Sequence, residues 1–425
     1  MTTEPHVLDE LEWRGLIAHS TDRDALRAEL SGGMVKVYCG FDPTAPSLHM
    51  GNLLQILTLR RLQDAGHKPY GLVGGATGMI GDPKDTGERQ MNSLDTVKQW
   101  SATVREQLER FLDFDGPNAA TVVNNYDWTA GLSTIEFLRD IGKHFPVNRM
   151  LAREVVRSRL ESGISYTEFS YVLLQSMDYL NLFRDFGVTL QTGGSDQWGN
   201  ITAGAELIRR VEGARVNALA TPLVTKADGT KFGKTESGTI WLDASMTSPY
   251  AFYQFWLNTD DRDVVDLLRF YTFRSRDEIA DLAEQTEDKP YLRAAQRTLA
   301  DDVTTLVHGA GETERIKAAA AALFGSGELA ELTVDTLAAA LREAGAVQVK
   351  RSEQLPTVVD LLVETGLVAS KGAARRTIGE GGAYLNNRRV EDPDQVPEEA
   401  DLLGGSWLVL RRGKKNLAGV EVVDA

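Results

Sequence analysis

Along the first half of the chain the apolar residues change period repeatedly. Short apolar runs at 34–42, 68–75, 121–125, 188–191 and 216–225 read as strands. Between them, 51–65, 95–114 and 196–211 carry apolar residues at three- and four-residue spacing, as amphipathic helices do. A long helical pattern also spans 166–186. Strands alternating with helices predict an α/β domain with a Rossmann-like parallel sheet and helices on both faces. In such sheets ligands bind at the carboxyl ends of the strands. From 248 onward the strand signals stop, and helical spacing recurs at 249–257, 262–270, 277–284, 291–307 and 314–323. Residues 325–352 are rich in Ala, Gly and Glu and read as a linker with some helix. After 353 come two helical patterns, 358–365 and 371–380, then strands at 383–390, 407–412 and 419–423. The expected organisation is therefore an α/β domain over 1–247, an all-helical domain over 248–324, a linker over 325–352 and a small α+β domain over 353–425.

Composition narrows this without changing it. With 425 residues, 42% hydrophobic and 25% charged, the chain suits two or three globular domains, not a disordered tail or a fibrous repeat. No apolar run reaches the ~18–20 residues of a membrane span. Residues 1–12 lack the basic-then-apolar order of a signal peptide. Cys39 is the single cysteine, so no internal disulfide can form. These features predict a cytoplasmic protein. A net charge of −15 argues against a nucleic-acid partner unless basic residues are gathered locally.

Four clusters carry chemistry. Asp42-Pro43-Thr44-Ala45-Pro46-Ser47-Leu48-His49-Met50-Gly51-Asn52 leaves a strand and opens a helix. Ser47 could cap that helix, and its N-terminus beside Thr44 and His49 suits an anion. Taken alone, the cluster reads more simply as a capped turn with a solvated His. Lys226-Ala227-Asp228-Gly229-Thr230-Lys231-Phe232-Gly233-Lys234-Thr235-Glu236-Ser237-Gly238 is a cationic, glycine-rich loop suited to a polyphosphate. Gln191-Thr192-Gly193-Gly194-Ser195-Asp196-Gln197-Trp198-Gly199-Asn200 spans a strand-to-helix transition, and plain N-capping does not explain Gln197, Trp198 and two adjacent glycines together. Tyr171, Gln175 and Asp178 share one face of an otherwise apolar helix. Buried polar groups need partners, found either within the fold or in a small polar ligand.

Taken together, the clusters make the chain resemble the bacterial tyrosyl-tRNA synthetases over essentially its whole length. His49-Met50-Gly51-Asn52 and Lys231-Phe232-Gly233-Lys234-Thr235 match the two signatures of class I aminoacyl-tRNA synthetases, with Asn52 where a second His is common. Tyr38-Cys39-Gly40-Phe41-Asp42, Val73-Gly74-Gly75-Ala76-Thr77 and Gly81-Asp82-Pro83 look like the tyrosine-enzyme forms of these regions. The resemblance implies ATP-dependent activation of tyrosine and transfer to tRNA(Tyr). It implies that Tyr38 and Asp178 bind the phenolic hydroxyl, that Asp82, Tyr171 and Gln175 hold the ammonium group, and that Gln197 lies near the carboxyl group. Cys39, Gly40, Asp42, Asn52 and Asp196 would contact ATP or the adenylate. Thr44, His49, Lys231, Lys234 and Thr235 would meet the phosphates, with Lys84 and Arg89 helping pyrophosphate leave. Mg²⁺ would accompany ATP without a protein-ligated metal site. The resemblance also implies a homodimer, built on an insertion near 143–160. A tryptophanyl enzyme is the nearest rival, and a non-catalytic RNA-binding protein on the same scaffold is the rival from another class.

The C-terminal region resolves the charge question. Lys371, Arg375, Arg376, Arg388 and Arg389 stand against Glu380 alone between 371 and 389, and Arg411, Arg412, Lys414 and Lys415 form a second basic group. The acids gather at 391–401. This segregation resembles a small RNA-binding module that presents a helix and a hairpin to structured RNA.

Overall fold

The computed structural model describes residues 5–83, 92–227, 229–230, 232–235, 238–323, 329, 332–351, 355–413 and 416–424. The chain forms two compact units, Met1–Met246 with Asp260–Pro290, and Thr247–Thr259 with Tyr291–Ala425.

The first unit is built on a six-stranded sheet: β1 (His19–Ser20), β2 (Lys36–Phe41), β3 (Lys68–Val73), β4 (Thr121–Asn124), β5 (Leu190–Gly194) and β6 (Asn217–Thr221). The strand order is β1-β6-β5-β2-β3-β4. Strands β2 to β6 run parallel, while β1 pairs antiparallel with β6. The chain moves outward from β2 through β3 to β4, then returns to lay β5 and β6 on the other side of β2. The reversal opens a crevice between the carboxyl ends of β2 and β5, where ligands of such sheets bind. Tyr38 of β2 is level with Tyr70 of β3 and Gln191 of β5.

Helix α1 (Met50–Asp64) follows β2 and buries Leu53, Leu54, Ile56, Leu57, Leu59 and Leu62, which line more than one face. Helix α2 (Leu94–Glu109) starts at a Ser93 cap and buries Val97, Val104 and Leu108. Helix α3 (Tyr166–Asn181) is capped by Ser165, whose hydroxyl accepts from the Glu168 N–H, and ends in a π-turn closed by Gly187 at φ 67°. Helix α4 (Trp198–Glu212) begins one 3₁₀ turn after β5. The sequence pattern places β5 at 188–191, but the strand runs on through Gly193 and Gly194. A Cβ on Gly193 would lie 3.0 Å from Ile201 Cδ1, and one on Gly194 2.4 Å from Asp196 Oδ1. The glycines that look like a turn thus let the strand end pack against α4's first turns.

In the second unit, helices α5 (Pro249–Leu257), α6 (Ala294–His308), α7 (Ala310–Leu323) and α8 (Val334–Glu343) pack together around Phe252, Trp256, Leu299, Val303 and Ile316. A five-stranded sheet follows: β7 (Val347–Lys350), β8 (Ala383–Leu385), β9 (Arg388–Arg389), β10 (Trp407–Arg412) and β11 (Asn416–Val423), in the order β9-β8-β10-β11-β7. Its core includes Val349, Val358, Leu362, Ile378, Leu408 and Val420, with residues from α9 (Val358–Glu364) and α10 (Lys371–Gly379). The expected linker at 325–352 needs correcting on this point. It supplies α8, and β7 pairs in parallel with β11, Val349 level with Val422. Four residues are too few for periodicity to reveal a strand whose partner lies at the far end of the chain. Among the described residues no helix is long and apolar enough to cross a membrane.

Candidate active site

The site lies at the carboxyl ends of β2, β3, β4 and β5, against one face of α3. Asp178 of α3 is 1% exposed. Its Oδ1 accepts from Trp128 Nε1 at 2.9 Å and its Oδ2 from Asn125 Nδ2 at 3.0 Å. Burial pushes the carboxyl up to about 7, against the pull of those two hydrogen bonds. Tyr38 is equally buried, and its hydroxyl has no hydrogen-bond partner among the described residues. Burial, with the Asp178 charge near it, pushes that phenol well above its usual range. The Gln175 Oε1 is likewise buried without a partner. An unsatisfied buried polar group costs about 1–3 kcal/mol. Two of them beside a carboxylate mark a place that receives polar ligand atoms.

Asp42 leaves β2 and joins the same network. Its Oδ1 accepts from Thr77 Oγ1 and its Oδ2 from the Tyr171 hydroxyl, both at 2.7 Å. Thr77 in turn accepts from Asn125 Nδ2 at 2.9 Å. The glycines after β3 make room for this: a Cβ on Gly74 would lie 1.9 Å from Asp42 Oδ1, and one on Gly75 2.3 Å from Asn124 Oδ1. Asp42 thus sits with the expected tyrosine ligand Tyr171, although the resemblance grouped it with the ATP contacts.

A second chain of amides surrounds Asp82. The Arg153 guanidinium donates to Asn200 Oδ1. A guanidinium has donors only, so the Asn200 oxygen must face it. The Asn200 amide NH₂ then donates to Asp82 Oδ1 at 3.2 Å and to Gln197 Oε1 at 3.0 Å. That leaves the Gln197 NH₂ to donate to Asp82 Oδ2 at 2.8 Å. Arg153 therefore fixes the orientation of both amides.

On the phosphate side, Ser47 does not cap α1. The cap is His49, whose Nδ1 accepts from the Gly51 N–H at 3.1 Å, while Asn52 Oδ1 accepts from the His49 N–H at 3.1 Å. This reciprocal box gives the Asn at that position a structural use. Ser47 is buried and turned inward instead. Thr44, His49, Gly40 and Asp196 are exposed at this end of the sheet, whereas Cys39 is 2% exposed and burial pushes its thiol up to about 12. Gly233, at φ 80°, brings the second signature against the first: a Cβ there would lie 3.1 Å from Met50 Cβ. The Lys234 and Thr235 backbones pair with Thr239 and Gly238 in a two-stranded hairpin. Lys84, Arg89 and Lys231 lie outside the described residues.

In the second unit, Lys371, Arg375 and Arg376 are exposed on α10, and Arg388 and Arg389 on β9. Lys371 pairs with Asp360 at 2.6 Å and Arg375 with Asp394 at 3.1 Å. Arg412 is exposed and donates to the Leu367 carbonyl at 3.1 Å. Arg411 departs from the expected basic surface. It is 8% exposed, with its guanidinium 5.0 Å from the centre of the Tyr384 ring. Tyr384, its partner across the strand pair, covers it, a detail a run of basic letters conceals. Lys414 and Lys415 lie outside the described residues.

Sequence reasoning missed Asn125, Trp128 and Arg153, and quoted Asn200 in the third cluster without giving it a role. Asn125 stands just past a strand end, which was a usable signal. Nothing local marks Arg153.

The family model for class I tRNA synthetases of the tryptophan and tyrosine type matches residues 31–325, and that for the C-terminal domain of tyrosine–tRNA ligases matches 337–420. The chain belongs to the class I tRNA synthetases. The tyrosine–tRNA ligase of Streptomyces coelicolor is 64% identical over 422 residues, covering 99% of each chain. That of Mycobacterium tuberculosis is 60% identical over 418 residues, covering 98% of each. A C-terminally truncated mitochondrial tyrosyl-tRNA synthetase from Aspergillus nidulans superposes with a TM-score of 0.67 at 31% identity, covering 74% of this chain and 93% of that one. Within the class, the chain falls in the tyrosine–tRNA ligase family.

Proposed function

We propose that the crevice between β2 and β5 activates L-tyrosine with ATP, and that the residues gathered there divide the work as follows. The observation that carries this reading is the buried, unpartnered Tyr38 hydroxyl beside the buried Asp178 carboxylate. A phenol entering there donates to Asp178 and accepts from Tyr38, satisfying both. Asp82, Tyr171 and Gln175 hold the ammonium group, with Asp42 anchoring the Tyr171 hydroxyl, and Gln197 lies by the carboxyl group. The tyrosine carboxylate is ionised at pH 7 and attacks the α-phosphorus of ATP without a general base. The bond to the β-phosphate oxygen breaks and pyrophosphate leaves. Charge accumulates on the phosphates, where Thr44 and His49 stand at the carboxyl end of β2 and Lys231, Lys234 and Thr235 are carried by the loop. Lys84 and Arg89 assist the leaving pyrophosphate. Cys39, Gly40, Asn52 and Asp196 flank the nucleoside, and Mg²⁺ arrives with the triphosphate as part of the substrate.

The tyrosyl group then passes to the 3′-terminal adenosine of tRNA(Tyr). Arg376, Arg388 and their basic neighbours near the C-terminus grip the RNA backbone. The enzyme works in the cytoplasm as a homodimer; the exposed Ile135, Leu138, Val147 and Leu151 support an interface in the insertion after β4. Tyrosine-dependent exchange of pyrophosphate into ATP, run against each amino acid, tests the reading. Exchange with tryptophan, or with none, overturns it.

A further inference from the structure

One buried polar group in the first unit is used by neither the tyrosine pocket nor the phosphate-facing residues, yet it is bonded to the segment that carries His49. Gln107 of α2 is 3% exposed, buried along the helix with Val97, Ser101, Val104 and Leu108. Its Oε1 accepts from the Leu48 N–H at 2.8 Å and its Nε2 donates to Ser47 Oγ at 2.9 Å. The direction of each bond is forced. A backbone N–H only donates, so the amide oxygen must face Leu48 and the NH₂ must face Ser47. Ser47 Oγ then spends its own proton on the Leu48 carbonyl at 2.8 Å and accepts the Asp243 N–H at 3.1 Å. The Leu48 carbonyl also accepts from the Leu242 N–H at 2.9 Å. His49 follows directly and forms an isolated bridge with Trp241. Upstream, the Ile240 N–H bonds the Gly233 carbonyl at 3.0 Å, so the same strip of backbone leads into the second signature.

These bonds tie three distant segments at one point: the turn before α1, the return from the cationic loop and the last turn of α2. Leu48 and His49 meet residues 241 and 242 backbone to backbone, Ile240 links that strip to Gly233, and the Gln107 amide holds the Ser47–Leu48 turn from behind. Without it, the Leu48 N–H and the Ser47 hydroxyl are left buried with a lost partner, and the turn that aims His49 must shift to recover one. Small displacements of this kind are expensive for a reaction that depends on preorganised donors.

We propose that Gln107 is a positioning residue for adenylate formation: its amide, acting through Ser47 and Leu48, sets the position of His49 relative to the backbone of Gly233 and residues 240–242. The proposal rests on the assignment of His49 to the phosphates. It predicts an effect on the rate with ATP and none on tyrosine binding, because Tyr38, Asp178 and Asp82 belong to other elements.

The test is a double-mutant cycle on the full-length enzyme, using Gln107→Met, which keeps the side-chain length and removes the amide, and His49→Ala. Pyrophosphate-exchange kcat and the KM for ATP and tyrosine are measured, with tyrosine affinity determined separately by equilibrium dialysis. Gln107→Met should lower kcat at least tenfold and leave tyrosine affinity within twofold. In the His49→Ala background the same change should cost less than threefold. Ser47→Ala removes the hub oxygen with little loss of volume and should repeat the pattern, which keeps the test available if Gln107→Met does not fold. Equal losses in both backgrounds would make Gln107 a general packing residue and overturn the proposal. If His49→Ala alone leaves kcat unchanged, the role of His49 fails first, and the proposal falls with it.

Discussion

Replacing Asp178 with Asn changes one atom in the phenol pocket and has an outcome that can be worked out bond by bond. The carboxylate now accepts from Trp128 Nε1 at 2.9 Å and Asn125 Nδ2 at 3.0 Å. Both partners are donors, so an Asn at 178 satisfies one and turns its own NH₂ toward the other. One buried donor pair is left facing itself, at a cost of about 1–3 kcal/mol. The substrate's hydroxyl also loses a charged acceptor, and a charge-assisted bond contributes roughly 1.5–3 kcal/mol. Phenylalanine makes no such bond, so its kcat/KM should change much less. The ratio of kcat/KM for tyrosine over phenylalanine should then fall by about ten- to hundredfold, since each 1.4 kcal/mol is a factor of ten. Pyrophosphate exchange with the two amino acids measures it directly, and circular dichroism confirms the fold. The same carboxyl should show itself in pH dependence. Its folded-state value is raised to about 7 from 3.8 by burial. The native state therefore binds the proton more tightly than the unfolded chain, so this group's contribution to stability is present at low pH and is lost as pH rises from about 4 to 7. Asp178→Asn should gain in melting temperature relative to the parent across that interval. An unchanged tyrosine/phenylalanine ratio in a folded variant would mean the hydroxyl is read elsewhere, and a flat pH difference would mean the carboxyl is not buried as described.

Three further outcomes follow from the same structure. Lys234→Ala should lower the rate of adenylate formation by about 10²–10³-fold, the usual effect of losing one preorganised donor, and leave tyrosine affinity intact, measured by pre-steady-state kinetics and equilibrium dialysis. Ending the chain after Gly345 should preserve pyrophosphate exchange and abolish efficient tRNA charging; the cut falls there because it leaves α8 with the helices it packs against and removes β7 together with its partner β11. Arg388→Ala should weaken tRNA binding and reduce the salt slope of log K by about one, whereas Arg411→Ala should chiefly lower the melting temperature, since that guanidinium is packed over Tyr384.

The relation between sequence and site differs from element to element. α5 and β10 run over the residues their patterns predicted, 249–257 and 407–412, because each has enough consecutive residues to display a period. Tyr171, Gln175 and Asp178 were readable as one polar face because they are bound by helical spacing within one element. β1 and β7 were not readable: at two and four residues they are too short to show alternation, and their partners lie far along the chain.

By itself the sequence determined the parallel sheet, the family and the chemical character of the site, since these depend on local period and on residue types held at short spacing. Only the tertiary structure decided which polar groups meet. Asp42 reaches across to Tyr171, Asn125 and Trp128 close around Asp178, and Arg153 orients Asn200 and Gln197 over Asp82. It also turned Arg411 inward and Ser47 away from the helix it precedes. The physical reason is range. Secondary structure is selected by neighbours a few residues apart, whereas a buried hydrogen bond is selected by whatever donor or acceptor the packed elements bring within 3 Å or so, and no local pattern records that partner.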